Sequence, residues 1–261
     1  MPWDRVAATN FDCVLYQHRH HYEHDRVALL TPVQRNLPAI YLEHDPPQEH
    51  PTNTRHPVQD PNVLLVHVTP FNALMWDSGM TPARVIDHGV LVDPSVRYTG
   101  VLARGISVVN HLGRRGRRLG ADVFADASRM VALDLVGMEA EASGGLGEIA
   151  NDELAAFMAR YRFFFHPVRY TSLGLAVVEA MMIGMPVVGL ATTELSTVIR
   201  NGTNGYIDTR TDSLVEIMRA LIEDPVLAAR WGRAAAHTAR ERFGIARFVA
   251  DWQAAFRDVA G

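Results

Sequence analysis

Four arginines fall within five positions, Arg114, Arg115, Arg117 and Arg118 in the run RRGRR. Guanidinium groups at that density hold phosphate or carboxylate through paired N–H donors. Further along, FFFHPVRYTSLGLAVVEAMMIGMPVVGL (163–190) reads as a buried strand ending at His166–Pro167, a short loop, and a helix starting near Leu173 or Gly174. The free N–H groups of such a helix start, together with its dipole, suit an anion. Glu179 lies about one and a half turns into that helix among apolar neighbours. A carboxylate there must pair with a cation, face a cleft or hydrogen-bond the hydroxyls of a ligand. A third group, IYLEHDPP (40–47), ends a strand in Glu43, His44 and Asp45, which places a histidine where a cleft and a proton transfer would need one.

Each group also has a plainer reading. RRGRR taken alone fits a solvated basic loop or a nucleic-acid patch, and Glu179 fits a helix-edge carboxylate paired with arginine. HRHHYEH (18–24) has the residues to pick up an adventitious divalent ion, but no carboxylate or cysteine spacing defines a site, so no metal is expected. His67 and His88 end or follow strands and are candidates to border the cleft.

All 25 basic residues are arginine, and the chain contains no lysine. That excludes a Schiff-base lysine, a pyridoxal-phosphate attachment point and a Walker A lysine. With 29 acidic residues the formal net charge is -4, which gives no bulk reason to expect nucleic-acid binding. Cys13 is the single cysteine, so neither an internal disulfide nor a thiolate metal site can form. MPWDRVAATNFD lacks a basic stretch followed by an apolar one, and a cytoplasmic location is the default expectation. Residues 173–191 are apolar except for Glu179, but Gly184 and Pro186 interrupt them, so a helix followed by a buried strand is expected rather than a membrane span.

The elements that must position these residues follow from the patterning. FDCVLYQ, PAIYLEH and NVLLVHV are expected strands, and ARVIDHGVLV is the candidate for a fourth; DPPQEHPTNTRHPVQDPN between the second and third is a loop. Further strands are expected in ISVVNHL, VALDLVGM, RFFFHPV, PVVGL and GYIDT. They alternate with helices in GADVFADASRM, NDELAAFMARY, LGLAVVEAMMIG and ELSTVIRNG, and a long helical tail follows. Asp212 or Ser213 is expected to cap the first tail helix, and Pro225 suits the first turn of the next. Such alternation indicates βαβ units and parallel sheets in an α/β fold.

Gly174, Leu175, Glu179, Ala180, Met181, Gly184, Pro186, Val187 and Val188, with NGYI downstream, resemble the donor-binding signature of retaining GT-B glycosyltransferases of the family 4 type (glycosyl transferases group 1). The resemblance is strong over about residues 160–210 and weaker elsewhere. It implies two Rossmann-like domains with parallel sheets: a partial, acceptor-side N-terminal domain at 1–100, a nucleotide-sugar donor domain at 101–243, and a helix at 244–261 packing back toward the N-terminal domain.

The function implied is transfer of a hexosyl-type sugar from a UDP- or GDP-sugar to an acceptor hydroxyl, with no metal or other cofactor. Peripheral membrane contact fits this class; nucleic acid does not. By the same resemblance Glu179 binds the ribose hydroxyls, and the amides around Gly174 and Leu175 face the diphosphate and sugar. His44 approaches the sugar from the other side. Of the arginines, Arg114 or Arg115 takes the place of the family's arginine at the diphosphate, and Arg117 or Arg118 that of its lysine.

Two departures stand out. Thr171, followed by Ser172, occupies the place of a glutamate that helps hold the sugar. The strand, glycine-rich loop and helix that open the family's N-terminal domain have no counterpart, so residues 1–100 supply about half of it. A naturally short variant, a fragment and a misplaced start codon all remain open. The rival function is a catalytically impaired nucleotide-sugar-binding or partner protein.

Overall fold

The computed structural model describes residues 3–261. The chain divides into two units, residues up to Gly89 with Ala246–Gly261, and Val90–Ile245. The first unit contains β1 (Val14–Tyr16), α1 (Arg26–Leu29), β2 (Ala39–Glu43), β3 (Val63–His67), α2 (Pro70–Met75) and β4 (Ala83–Val85). The second contains β5 (Leu102–Val108), α3 (Leu112–Arg115), α4 (Ala121–Ser128), β6 (Leu133–Val136), α5 (Asn151–Met158), β7 (Tyr161–His166), α6 (Leu175–Ile183), β8 (Val187–Leu190), α7 (Leu195–Val198), β9 (Gly205–Asp208), α8 (Thr211–Glu223) and α9 (Pro225–Phe243). The final helix, α10 (Ile245–Ala260), lies in the first unit from Ala246 on.

In the first unit the strands run β1-β2-β3-β4, all parallel, with Glu43 opposite His67 at the carboxyl ends. Alternation divides their side chains between two faces. Tyr16, Tyr41 and Leu65 pack with Val58 on one face, while Ile40 and Val66 pack with Ile86 and with Trp252 and Ala255 of α10 on the other. Thr69 accepts from the Asn72 N–H at 3.0 Å and, with Pro70 behind it, starts α2 immediately after β3.

The second sheet has the order β6-β5-β7-β8-β9, again parallel throughout. Its central strand β7 is buried along its whole length, as expected when helices cover both faces. Phe163 and Phe165 point to the side of α4 and α8, and Phe164 to the side of α6 and α9. Opening a cavity at any of these rings should cost about 3–5 kcal/mol.

Three sequence expectations are corrected in detail. The strand expected at ISVVNHL begins earlier, at Leu102, and ends at Val108, because His111 turns into the left-handed region at φ 56°. The RRGRR run is helical rather than open loop: α3 carries Arg114 and Arg115, and a 3-10 turn over Gly116–Leu119 carries Arg117 and Arg118. Neither Asp212 nor Ser213 caps α8. Asp208 accepts from the Arg210 N–H at 2.9 Å and pairs with its guanidinium at 2.7 Å, which starts the helix at Thr211 and puts both expected caps inside its first turn. Residues 173–191 form α6 and β8, and among the described residues no helix is long and apolar enough to cross a membrane.

Candidate functional site

Helix α6 begins at the carboxyl end of the buried strand β7, across the loop Pro167–Gly174. In parallel sheets this is where ligands bind. Gly174 sits before the first turn at φ 88°, a conformation costly for other residues, and supplies no capping side chain, so the N–H groups of Leu175 and Ala176 have no acceptor among the described residues. Beside it, the carboxyl end of β5 leads through Asn110 and His111 into α3.

The two segments singled out in the sequence are bound to each other. The Arg118 carbonyl accepts from the N–H groups of Arg169 at 3.0 Å and Tyr170 at 3.2 Å. Gly120, at φ 79°, lies so close to the loop that a Cβ there would stand 2.0 Å from the Pro167 carbonyl oxygen. Arg169 holds Asp122 through both nitrogens, at 2.6 and 2.8 Å, and the Arg117 carbonyl at 2.7 Å. Arg117 joins the same carboxylate at 2.5 Å. Hydrogen bonding from Arg169, then the charges of the two guanidinium groups, pushes the Asp122 carboxyl down to about 2.

Between these segments lies a cavity of about 300 Å³ lined by Val108, Val109, Asn110, Arg115, Leu119, His166, Val168, Thr171 and the first turn of α6 from Gly174 to Val177. It brings together four of the expected residues, Arg115, Thr171, Gly174 and Leu175. The Arg115 guanidinium has no hydrogen bond or ion pair among the described residues, unlike its neighbours. Arg114 stands 3.7 Å from Glu139, Arg117 is on Asp122, and Arg118 Nε donates to the Tyr170 carbonyl at 3.4 Å. Ser172 is buried beside the cavity without lining it.

Glu179 is half-buried on α6, two residues beyond Val177 of the cavity wall, and its side chain has no hydrogen bond or ion pair among the described residues. Burial raises its carboxyl above the usual range. Asn110 Oδ1 accepts from the Met138 N–H at 2.9 Å and so fixes the loop after β6 to the cavity rim.

His44 belongs to the first unit, directly after β2, and lines a separate cavity of about 360 Å³ with Tyr41, Glu43, Asp45, Arg55 and Trp76. Its ring lies parallel to that of His88, 6.5 Å between centres. Glu43 there accepts from buried His56 Nε2 at 3.1 Å, whose Nδ1 accepts from the Val58 N–H. The tautomer of His56 is thereby fixed. Burial and then the neighbouring His56 push His67 down to about 4. Of the histidines at 18–24, His20, His21 and His24 lie on short helical turns, and among the described residues no three His, Cys, Asp or Glu side chains are grouped to hold a metal.

His166, Asn110, Arg169 and Asp122 were not singled out by sequence. His166 and Arg169 were visible as the polar residues on either side of Pro167–Val168 at the end of an apolar strand, but nothing in the spacing showed that one faces the cavity and the other reaches Asp122.

Against known proteins, the family model of glycosyl transferases group 1 matches residues 143–238, which include β7, α6 and β8. No curated protein sequence matches the chain significantly. Among solved structures, sucrose-phosphate synthase from Thermosynechococcus elongatus superposes with a TM-score of 0.71 at 15% identity, covering 95% of this chain and 73% of its own. Anabaena HepE, solved in complex with UDP, gives 0.68 at 17% identity over 95% of this chain and 79% of HepE. S. aureus TarM gives 0.68 at 14% identity over 85% of this chain; the chain spans 51% of TarM's length. The fold is therefore α/β of the GT-B class, with two Rossmann-like parallel sheets.

Proposed function

We propose that this protein is a retaining glycosyltransferase that moves a sugar from a UDP- or GDP-linked donor to an acceptor hydroxyl. The observation that carries the reading is the cavity that Arg115, unpaired among the described residues, lines together with the first turn of α6, within and beside the segment that matches glycosyl transferases group 1. A diphosphate placed there meets the Arg115 guanidinium and the N–H groups at the start of α6. Glu179, half-buried and without a side-chain partner among the described residues, takes the ribose hydroxyls of the same donor. HepE, a structural neighbour, was solved with UDP-glucose, which supports the donor class.

In the reaction the bond from the sugar's anomeric carbon to the diphosphate oxygen breaks as a bond to the acceptor oxygen forms on the same face. The acceptor's proton passes to the departing phosphate. Charge growing on the diphosphate is met by Arg115 and the α6 N-terminus, so the reading assigns no role to a metal. Calorimetric titration with UDP and GDP tests the binding half: one of them binds, and Glu179→Ala weakens it. No binding of either, or binding indifferent to Glu179→Ala, would sink the proposal.

Thr171 on the cavity wall favours a second reading, a nucleotide-sugar-binding relative that does not turn over. Donor hydrolysis or transfer across a broad set of acceptors decides between the two.

A further inference from the structure

The donor cavity contains a polar group that the reading above leaves unused. His166 ends β7 with 6% of its surface exposed, lines the cavity, and has no hydrogen bond to its ring among the described residues. Its ring is held nearly parallel to Phe164, 6.4 Å between centres, which fixes its plane. Gly174 leaves its edge open, since a Cβ there would come to 3.7 Å from His166 Cε1. Burial pushes the imidazole down to about 4, so it is neutral in ordinary buffers.

A neutral imidazole offers one donor and one acceptor. That pair suits a hydroxyl, which can accept and donate in turn, better than a phosphate, which asks for cations and N–H donors. The cavity supplies phosphate with Arg115 and the start of α6. What remains polar on its wall is His166, Thr171 and Asn110, and no carboxylate lines it. With no partner for its ring in the fold among the described residues, His166 is open on the cavity side to a ligand hydroxyl.

We infer that His166 is a specificity-determining residue that, with Thr171, hydrogen-bonds a hydroxyl of the sugar carried by the nucleotide diphosphate. The inference rests on the donor reading, and it makes a neutral pair, rather than a carboxylate, the sugar-recognising element of this site.

The test compares UDP with a panel of UDP-hexoses on the full chain. His166→Phe, which keeps the ring packing, is expected to weaken the best-bound UDP-hexose about fivefold to tenfold while changing UDP less than twofold, as loss of one neutral hydrogen bond predicts. His166→Gln should recover part of the loss. In the unsubstituted protein the His166 ring ¹⁵N signals should shift on adding that UDP-hexose and stay in place with UDP, a readout independent of how the variants fold. Equal loss for UDP and UDP-hexose, or ring signals unmoved by the sugar, overturns the inference while leaving the donor reading intact. Failure of the unsubstituted protein to bind UDP or any UDP-hexose overturns both.

Discussion

The cavity of the first unit and that of the second both lie at the carboxyl ends of parallel strands, yet their polar groups are in opposite states. In the first, Glu43 is held by His56, Arg55 pairs with Asp77 at 3.0 Å and Arg19 with Glu23 at 2.8 Å, so most charges are already answered within the fold. In the second, Arg115 and His166 are left without polar partners among the described residues, although Asp122 lies close enough in sequence to have served. Asp122 instead collects Arg117 and Arg169. Groups that line a cavity without a partner in the fold are the more informative sign of a ligand, because no internal contact competes with the ligand for them.

The largest effect expected concerns acid. His67 in the first unit and His166 in the second are both held near 4, whereas an unfolded histidine takes its proton near 6.5. Below 6.5 the unfolded chain binds more protons than the folded one, so stability is fully present above that pH and falls as pH drops toward 4, by up to about 3 kcal/mol for each histidine. Urea denaturation at pH 7.5, 5.5 and 4.5, with hydrogen exchange to follow each unit, should show both units weakening. His166→Phe should flatten the acid loss of the second unit alone; a matching change in the first would break the comparison.

Next comes the ribose contact proposed for Glu179. Glu179→Ala should weaken nucleoside diphosphate binding roughly thirtyfold, the scale of a charged hydrogen bond. A smaller effect should separate the arginines. Arg115→Ala is expected to weaken UDP binding about tenfold by calorimetry, Arg117→Ala by less than about twofold because its exposed guanidinium is engaged with Asp122, and Arg55→Ala in the first unit not at all. Equal losses at Arg115 and Arg117 would erase the distinction between answered and unanswered charge. Smallest is the effect of sign on the wall: Thr171→Glu should weaken binding of a carboxylate-bearing UDP-sugar more than that of a neutral one, by a few-fold, measured as a ratio of the two affinities.

Much of this frame was legible in the residues. Alternation and β-branched runs located the strands, and the apolar FFF before His166 announced the central one. Gly174, Thr171 and Arg115 could be gathered from motif spacing because the βαβ rule puts loop and helix start at one sheet edge. Side-chain pairing was not legible. Which of four adjacent arginines stays unpaired depends on Arg169 and Asp122, 47 residues apart, and on the left-handed turn at His111 that curls RRGRR into helix. Spacing also could not reveal that His166 turns its ring toward the cavity, since a strand's last residue has two faces to choose from.

Helix α6 presses on α9 at its far end with no side chain between them. A Cβ on Gly232 would stand 1.9 Å from the Gly184 carbonyl oxygen, and Gly184 closes α6 at φ 100°. Two backbones in direct contact have no soft layer to absorb a displacement. The helix spans only about 13 Å from that contact to its first turn. It therefore acts as a short pushrod: a single methyl added at Gly232, on a helix that lines no part of the cavity, would press on the far end of the helix whose first turn forms the cavity wall.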